Sequence, residues 1–369
     1  SAKKAGYKVS IIDRYADSDT VSLSEKVHIY NGPHIDNFLS ESKLYLYVEE
    51  LSKDSNKHLV VIGSGFEKNP HRIEKIREYI PVLSNNLETI NLVKNPVSLT
   101  NILNKESVMH PFTSLCKTDF KDNAIFLIKE IAGMGGGHVV FESDINDKLL
   151  SGSEYYYQEY IKGIVYSAVF LANGKEAKLI GINQHLKPSQ FSSKPFLYEG
   201  AITTNLQKDK KEKIDSIINK LTKITKLFGL CGLDFIIDES NNIYVIDVNP
   251  RPPSTFELHE NEYSLFAAHI DCFQGKLPRN VSYNCNKIHG HAIYYAKKDL
   301  FRAPNFPNWV KDIPRMKLKN NDLQIQDMIS AGNPVCSVYA EANTLDEVKN
   351  LLFHRLQEIE LSIKSTNKL

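Results

Sequence analysis

The chain has 369 residues, 42% of them apolar, which is enough for two or three domains with buried cores. Lys and Arg number 45 against 44 Asp and Glu without a basic block, so the sequence has no electrostatic signature of nucleic-acid binding. No apolar run of about 18 residues predicts a membrane span. The five scattered cysteines lack CxxC spacing, which argues against disulfides or a thiolate zinc site and favours the reducing cytoplasm.

The first 95 residues alternate between predicted strands and helices, a pattern typical of a small parallel-sheet domain. The predicted strands are Val9–Ile12 and Leu59–Ile62, and the predicted helices are Phe38–Asp54 and Pro70–Tyr79. Residues 1–7 have a helical pattern, but no strand and turn come before it, as a βαβ unit requires. We therefore expect that the first strand of this domain is missing from the chain.

After a predicted helix at 96–110, the pattern from about residue 119 onward becomes that of antiparallel strands. Predicted strands lie at Ala124–Lys129, Val139–Glu142, Tyr155–Ile161, Tyr166–Leu171, Ala177–Gly181, Leu233–Asp238, Ile243–Val248, His291–Ala296 and Val335–Ala340. Long amphipathic helices are predicted at 207–228 and 345–363. His289 and His291 would share a strand face, where structural histidines are more common than metal ligands.

The stretch FLIKEIAGMGGGHVVF places a lysine, Lys129, before a glycine cluster formed by Gly133, Gly135, Gly136 and Gly137. A P-loop would need Lys and Ser or Thr after its last glycine, and a dinucleotide fingerprint would need glycine at 138 and a following helix. The remaining interpretation is a β-hairpin lid, whose backbone N–H groups close over phosphates while the lysine points at them. The alternative, a loose hairpin with a solvated lysine, stays open on this stretch alone.

A second constellation lies in GLCGLDFIIDESNNIYVIDVNPR. If Glu239–Asn242 form a four-residue turn, Asp238 pairs with Ile243 and Asp234 lies opposite Asp247. Like charges that face each other across a ladder are destabilising, so a cation is expected between them. Asn249 shares their face, and three oxygen ligands suit Mg²⁺ held with phosphates. The alternatives are an exposed hairpin with one solvated aspartate, or a pair that shares a proton.

A phosphate lid and a metal hairpin about a hundred residues apart resemble the ATP-grasp superfamily, in its biotin carboxylase-like branch. The stretches YYYQEYIKG and IDVNPR are similar to that family's adenine hinge and metal motif. The resemblance implies an α/β and α+β architecture in three parts. These are a Rossmann-like pre-ATP-grasp domain at 1–95, an ATP-grasp domain at 96–275 with a lid at about 120–160, and a small β-rich C-terminal domain at 276–369.

The resemblance also implies a role for each matching residue. Lys129 and the glycines at 133, 135, 136 and 137 would hold ATP phosphates, with Lys94 as an earlier phosphate lysine, and Arg251 would stabilise charge on the transferred group. The implied adenine contacts are Gln158, Glu159, Tyr160 and Ile161, and the implied ligands for one or two Mg²⁺, or for Mn²⁺, are Asp234, Asp247 and Asn249. Two positions depart from the family: Val165 replaces a ribose-binding glutamate, and Thr255 replaces the glutamate that serves bicarbonate, with Glu257 two residues on.

The implied reaction joins a carboxylate to an amine through an acylphosphate and releases ADP and phosphate. The alternatives are an ATP-dependent carboxylase that activates bicarbonate, similar to the carboxyaminoimidazole synthetases, and a nucleotide-binding protein that has lost catalysis. The expected partners are small-molecule carboxylates and amines, with a weaker resemblance to proteins of pterin- or furan-type one-carbon coenzyme biosynthesis. We expect no nucleic-acid or membrane partner, and a homodimer would be typical of the relatives.

Overall fold

The computed structural model describes residues 1–13, 15–29, 41–53, 58–121, 124–144, 154–187, 194–260, 264–278, 287–319, 322–325 and 328–366. The ends of the predicted helix Phe38–Asp54, parts of the predicted lid and Cys285 lie outside these ranges. Within the described part of the chain, no helix is long and apolar enough to cross a membrane.

The N-terminal part contains short parallel strands and helices, as predicted. Its elements are β1 (Ser10–Asp13), α1 (Ser18–Leu23), β2 (Lys26–Ile29), α2 (Glu41–Ser52), β3 (Val60–Val61), α3 (His71–Arg77) and β4 (Val82–Leu83). Strands β1 and β2 pair in parallel, as do β3 and β4. The helical pattern of residues 1–7 does not form a helix: these residues form turns, and Gly6 takes a left-handed conformation (φ 84°) that interrupts helical geometry.

Two consecutive helices lead from this part into an antiparallel lid sheet. The elements are α4 (Leu87–Lys94), α5 (Pro96–Lys105), β5 (Thr113–Ser114), β6 (Phe126–Glu130), β7 (Val140–Phe141) and β8 (Tyr155–Glu159). The side chain of Asn95 accepts hydrogen bonds from the first turn of α5, and Pro96 begins that helix. Helix α5 ends five residues before the predicted residue 110 because Ser107 is left-handed (φ 55°).

A large antiparallel sheet follows and forms the main scaffold. Its first elements are β9 (Gly163–Asn173), β10 (Ala177–His185), β11 (Gly200–Thr204), α6 (Lys208–Thr225), β12 (Phe228–Asp238), β13 (Ile243–Asn249) and α7 (Leu265–Phe273). Helix α6 buries Ile214, Ile217, Ile218 and Leu221, which share one helical face and pack into the sheet core. It ends at Thr225, before the predicted residue 228, because Lys226 is left-handed (φ 57°).

The C-terminal part continues the same sheet. Its elements are β14 (Ile288–Tyr295), β15 (Val310–Lys311), β16 (Met316–Lys319), β17 (Asp322–Ile325), β18 (Pro334–Ala342) and α8 (Leu345–Thr366). The eight-stranded sheet has the order β13-β12-β9-β10-β11-β14-β18-β15, and α8 packs on its C-terminal strands. The predicted strands at 291–296 and 335–340 and the predicted helix at 345–363 are therefore confirmed with shifted ends. The chain's last segment completes the sheet that carries the aspartate hairpin.

In the aspartate hairpin the predicted Asp234–Asp247 pair forms, but the turn and the strand register differ from the prediction. Ile237 pairs with Ile243, so the predicted Asp238–Ile243 pair is wrong and the turn is one residue longer than predicted. The side chain of Asp238 accepts the N–H of Asn242 at 2.7 Å and stabilises this longer turn. A β-bulge at Ile246 then offsets the extra residue, and Asp234 lies opposite Asp247 as predicted.

The N-terminal part is anchored to this sheet by a buried asparagine. Asn85, 2% exposed, donates to the carbonyls of Phe228 at 3.1 Å and Pro250 at 2.9 Å, and its Oδ1 accepts the N–H of Phe228 at 2.8 Å. Phe228 begins β12 and Pro250 follows β13. One side chain therefore satisfies backbone groups of both aspartate strands at the open end of their hairpin.

Asn85→Ala should lower the free energy of unfolding by about 1–3 kcal/mol, because it leaves buried backbone groups without partners. Urea denaturation measures this change. Asn91→Ala on the exposed face of α4 is the matched control and should change stability by less than about 0.5 kcal/mol. Equal effects of the two substitutions would show that Asn85 does not anchor the domain.

Candidate active site

A cleft of about 2180 Å³ lies between the N-terminal part, the lid sheet and the aspartate hairpin. It brings together all the residues to which the sequence assigned a site role. The lining includes Lys94, Lys129, Gly133, Gly135, Gly136, Gly137, Gln158, Glu159, Tyr160, Ile161, Asp234, Asp247, Asn249 and Arg251. Residues more than 150 positions apart in the chain thus face one space.

Lys129 lies on β6 beneath the glycine loop, as the hairpin-lid interpretation predicts. Its ammonium donates to Gln158 Oε1 at 3.2 Å and lies 5.6 Å from the centre of the Tyr156 ring. Burial disfavours the charged form, but Tyr156 and the carboxylate of Asp247 outweigh it, so the pKa of Lys129 lies above its ordinary value. The cleft therefore contains a permanent positive charge.

The glycine loop approaches another segment so closely that side chains are excluded. At Gly136 (φ 73°) an added Cβ would lie 1.9 Å from the carbonyl oxygen of Phe196. The carbonyl of Gly135 accepts the N–H of Tyr198 at 2.9 Å. His138, which follows the last glycine, packs its ring over Gly133, and burial together with the charge of Lys129 lowers its pKa to about 4. The loop is thus a docked lid next to a neutral histidine.

The hinge segment at Gln158–Ile161 has fewer available backbone donors than the sequence suggests. The N–H of Glu159 donates to Phe112 at 2.8 Å, and that of Tyr160 donates to Ile125 at 2.9 Å. The Gln158 side chain is buried and donates to Thr113 Oγ1 at 3.2 Å. Since those two N–H groups are engaged, adenine contacts from this segment would use its other groups.

Lys94 occupies the position where the sequence predicts a cation. Its ammonium lies 2.9 and 2.8 Å from the two carboxylate oxygens of Asp247 and 3.1 Å from Asn249 Oδ1. The Lys94 side chain is 5% exposed. Lys94 thus contacts the aspartate hairpin directly, whereas the sequence assigned it to phosphate. A lysine in the preceding helix neutralises the aspartate face.

The opposed aspartates differ in their environment. Asn249 Nδ2 donates to Asp234 Oδ2 at 3.1 Å, so the amide bridges Asp234 and Lys94. Burial and the charge of Asp247 raise the pKa of Asp234 to about 6, against the opposing effect of Lys94. Two carboxylates and an amide oxygen form a hard-oxygen donor set, which fits Mg²⁺.

Arg251 has a partner that the sequence did not reveal. Its Nε donates to the carboxylate of Glu67, whose side chain is 4% exposed and which also accepts the N–H of Gly65 at 2.8 Å. Burial raises the pKa of Glu67, but the charges of Arg251 and Lys94 hold it below its ordinary value. A glycine-rich stretch, Gly63-Ser64-Gly65, lies next to Glu67 in the sequence, and Gly63 and Ser64 line the cleft.

Residues 93–255 match the sequence profile of an ATP-grasp domain. This segment is therefore similar to ATP-grasp domains over 163 of the 369 residues. ATP-grasp proteins are ATP-dependent ligases that use ATP and Mg²⁺, and the similarity supports this general class for the chain. No curated protein sequence matches the chain significantly.

Solved structures share the fold of this chain at low sequence identity. The biotin carboxylase domain of Hydrogenobacter thermophilus 2-oxoglutarate carboxylase, with MgADP, ADP and bicarbonate, has a TM-score of 0.72 at 14% identity and covers 97% of this chain and 85% of that one. N5-carboxyaminoimidazole synthetase from Staphylococcus aureus with ADP has a TM-score of 0.66 at 16% identity, with coverages of 96% and 92%. L-amino acid ligase from Bacillus licheniformis has a TM-score of 0.64 at 13% identity, with coverages of 97% and 93%. These similarities confirm the predicted ATP-grasp fold.

Lys94→Met should strengthen the binding of Mn²⁺ to the nucleotide-free protein, because it removes the ammonium that competes for Asp247 and Asn249. We expect an affinity gain of about tenfold or more, measured by titration with electron paramagnetic resonance detection of free Mn²⁺. The matched control is Lys105→Met at the end of the next helix. Weaker Mn²⁺ binding in Lys94→Met would show that Lys94 does not compete with a metal there.

Proposed function

We propose that the protein is an ATP- and Mg²⁺-dependent ligase that joins a carboxylate to an amine through an acylphosphate and releases ADP and phosphate. The observation that supports this most strongly is the convergence of Lys129, Arg251 and the Asp234–Asp247–Asn249 set on one cleft. These groups supply positive charge and oxygen ligands for the transfer of a phosphoryl group from ATP to a substrate carboxylate. Such a reaction depends mainly on positioning and charge neutralisation.

Each group has a distinct task in this proposal. Lys129 and the N–H groups of the glycine loop hold the ATP phosphates, and the docked loop keeps water from the acylphosphate. A divalent cation held by the three oxygen ligands would neutralise phosphate charge during transfer. Arg251, kept in place by Glu67, stabilises the charge that develops on the transferred phosphoryl group and on the acylphosphate.

Lys94 has a double role in the same proposal. Without nucleotide it neutralises Asp247, and with nucleotide bound it turns to the phosphates, the role that the sequence assigned to it. The hinge residues Gln158–Ile161 hold adenine, and the side chain of Val165 lies at the cleft wall, where it contacts ribose without a carboxylate. The domain limits at 95 and 275 are also part of the proposal, as is a homodimer, since the similar H. thermophilus domain is a dimer.

A carboxylase that activates bicarbonate is the second candidate, and two observations weigh against it. Thr255 stands where that chemistry uses a glutamate, and its side chain is 3% exposed. The next carboxylate, Glu257, does not line the cleft; it bonds to Tyr339 and Lys311 instead. Loss of catalysis is not favoured either, because the full set of charged groups is present. The link to a pterin or furan coenzyme stays a prediction, as nothing in the cleft selects either ring.

The test is ADP release with each of the twenty L-amino acids, singly and in pairs, and with bicarbonate. A ligase requires a carboxylate together with an amine, whereas a carboxylase responds to bicarbonate alone. Lys129→Met and Asp247→Asn should each lower the rate by about 10²-fold or more, since each removes charge stabilisation of phosphoryl transfer. The matched controls Lys223→Met and Asp209→Asn, both exposed on α6, should keep the wild-type rate.

Three results would contradict the ligase proposal. Undiminished turnover in Lys129→Met or Asp247→Asn would show that these residues do not form the active site. ADP release that needs bicarbonate and no amine would identify a carboxylase. Tight binding of ATP, measured calorimetrically, without ADP release for any pair of amino acids or for bicarbonate would favour a nucleotide-binding protein.

A further inference from the structure

A chain of polar side chains leads from the cleft into the C-terminal sheet. Tyr198 lines the cleft next to the glycine loop. Its hydroxyl lies 2.7 Å from Nε2 of His291 on β14. His291 Nδ1 lies 3.8 Å from the Glu257 carboxylate, within ion-pair range but too far for a direct hydrogen bond. None of these three residues has a role in the ligase proposal so far.

Solvent exposure increases from His291 to Glu257 and Lys311. His291 is 3% exposed and Nδ1 has no hydrogen-bond partner among the described residues. The Glu257 side chain is 35% exposed, and Lys311, which lies 3.4 Å from it, is 50% exposed. A path of titratable groups therefore runs from the reaction cleft, through a buried imidazole, to the surface. A buried histidine between two such partners is the arrangement that proton transfer requires.

Burial and neighbouring side chains determine the protonation states of Glu257 and Tyr198. Burial raises the pKa of Glu257, but His291, Lys311 and Tyr339 lower it further, to about 2, so Glu257 is a carboxylate. Burial raises the pKa of the Tyr198 hydroxyl, and the charge of Asp234 adds to this effect. Tyr198 is therefore protonated and within electrostatic reach of the aspartate hairpin.

Other charged or titratable groups also face His291. His185 packs its ring against Tyr198 and is kept neutral by burial, which lowers its pKa to about 4. Tyr339 packs edge-on to the His291 ring and donates to Glu257. Asp312 adds a second carboxyl in electrostatic range, with a pKa raised by burial. The groups around His291 are thus a neutral imidazole, two tyrosine hydroxyls and two carboxyl groups.

We propose that Tyr198, His291 and Glu257 form a proton relay that deprotonates the ammonium group of the acceptor amine, with Tyr198 as the catalytic residue that touches the substrate. The inference rests on the proposed ligase function. It also narrows the acceptor to an amine that is protonated in solution and has to lose a proton before it can attack the acylphosphate.

The deprotonation consists of two coupled proton transfers. The Tyr198 oxygen takes one proton from the ammonium group while its own proton passes to Nε2 of His291, which becomes an imidazolium paired with Glu257. The amine nitrogen then attacks the acyl carbon, a C–N bond forms, the C–O bond to phosphate breaks, and phosphate leaves. His291 returns the proton to solvent past the partly exposed Glu257. The overall reaction releases the one proton that amide formation from an ammonium group requires.

The first test needs no substrate. Long-range ¹H–¹⁵N spectra of the full chain labelled with ¹⁵N-histidine report the tautomer of His291, whose signals are identified by their loss in His291→Gln. The relay requires a proton on Nδ1 and none on Nε2, and Tyr198→Phe should shift the Nε2 resonance. Tyr295→Phe is the matched control, since the Tyr295 hydroxyl donates to the backbone carbonyl of Tyr198 and not to its side chain, and it should leave the resonance unchanged. A proton on Nε2 would overturn the relay.

The second test separates acceptors by protonation. With a mixture of the twenty L-amino acids as carboxylates, the acceptor is either their own ammonium groups or added hydroxylamine, which is mostly unprotonated at neutral pH. Tyr198→Phe and Glu257→Gln should lower ADP release with ammonium acceptors by about 10²-fold or more and leave hydroxamate formation close to wild type. Tyr295→Phe should leave both close to wild type.

Equal losses with both acceptors, or no loss with ammonium acceptors, would overturn the relay, because a structural defect does not depend on acceptor protonation. If the wild type releases no ADP with the mixture, the ligase proposal fails for amino acids. The tautomer of His291 then decides the relay by itself.

Discussion

The arrangement of the site depends on how the structure holds two aspartates face to face. Asp234 and Asp247 are opposed across neighbouring strands, where like charges repel. Lys94 supplies the compensating charge from a separate helix, and Asn249 ties Lys94 and Asp234 together. The mutual repulsion of the two aspartates is thus offset by a contact between the hairpin and helix α4.

The parts are positioned by buried polar contacts to this hairpin. Asn85 satisfies backbone groups next to both aspartate strands, and Glu67 holds Arg251 just beyond the hairpin. The large sheet then continues from these strands to β14 and β18, so His291 is fixed in the same rigid frame as the aspartates. Breaking a buried ion pair such as Glu67–Arg251 is costly, about 3–5 kcal/mol, because the remaining charge has no partner. The site and the domain arrangement therefore stabilise each other.

Local patterns in the sequence predicted the elements whose causes are local. The glycine hairpin, the Asp234–Asp247 pair and the helix after Pro96 follow from turn chemistry, strand alternation and capping. The pair was correct although the turn was one residue longer, because a bulge restored the register. Glu67, Tyr198 and the contact of Lys94 with Asp247 could not be predicted. Their partners lie 93 to 184 residues away, and only the folded sheet brings them together.

The most direct test of this account is a crystal structure of the protein with Mg²⁺ and a non-hydrolysable ATP analogue. We predict a cation bound by Asp234, Asp247 and Asn249, Lys129 and the glycine loop on the phosphates, and Lys94 moved from Asp247 to a phosphate oxygen. A nucleotide bound in the cleft with the Lys94–Asp247 contact intact and the metal held elsewhere would contradict it.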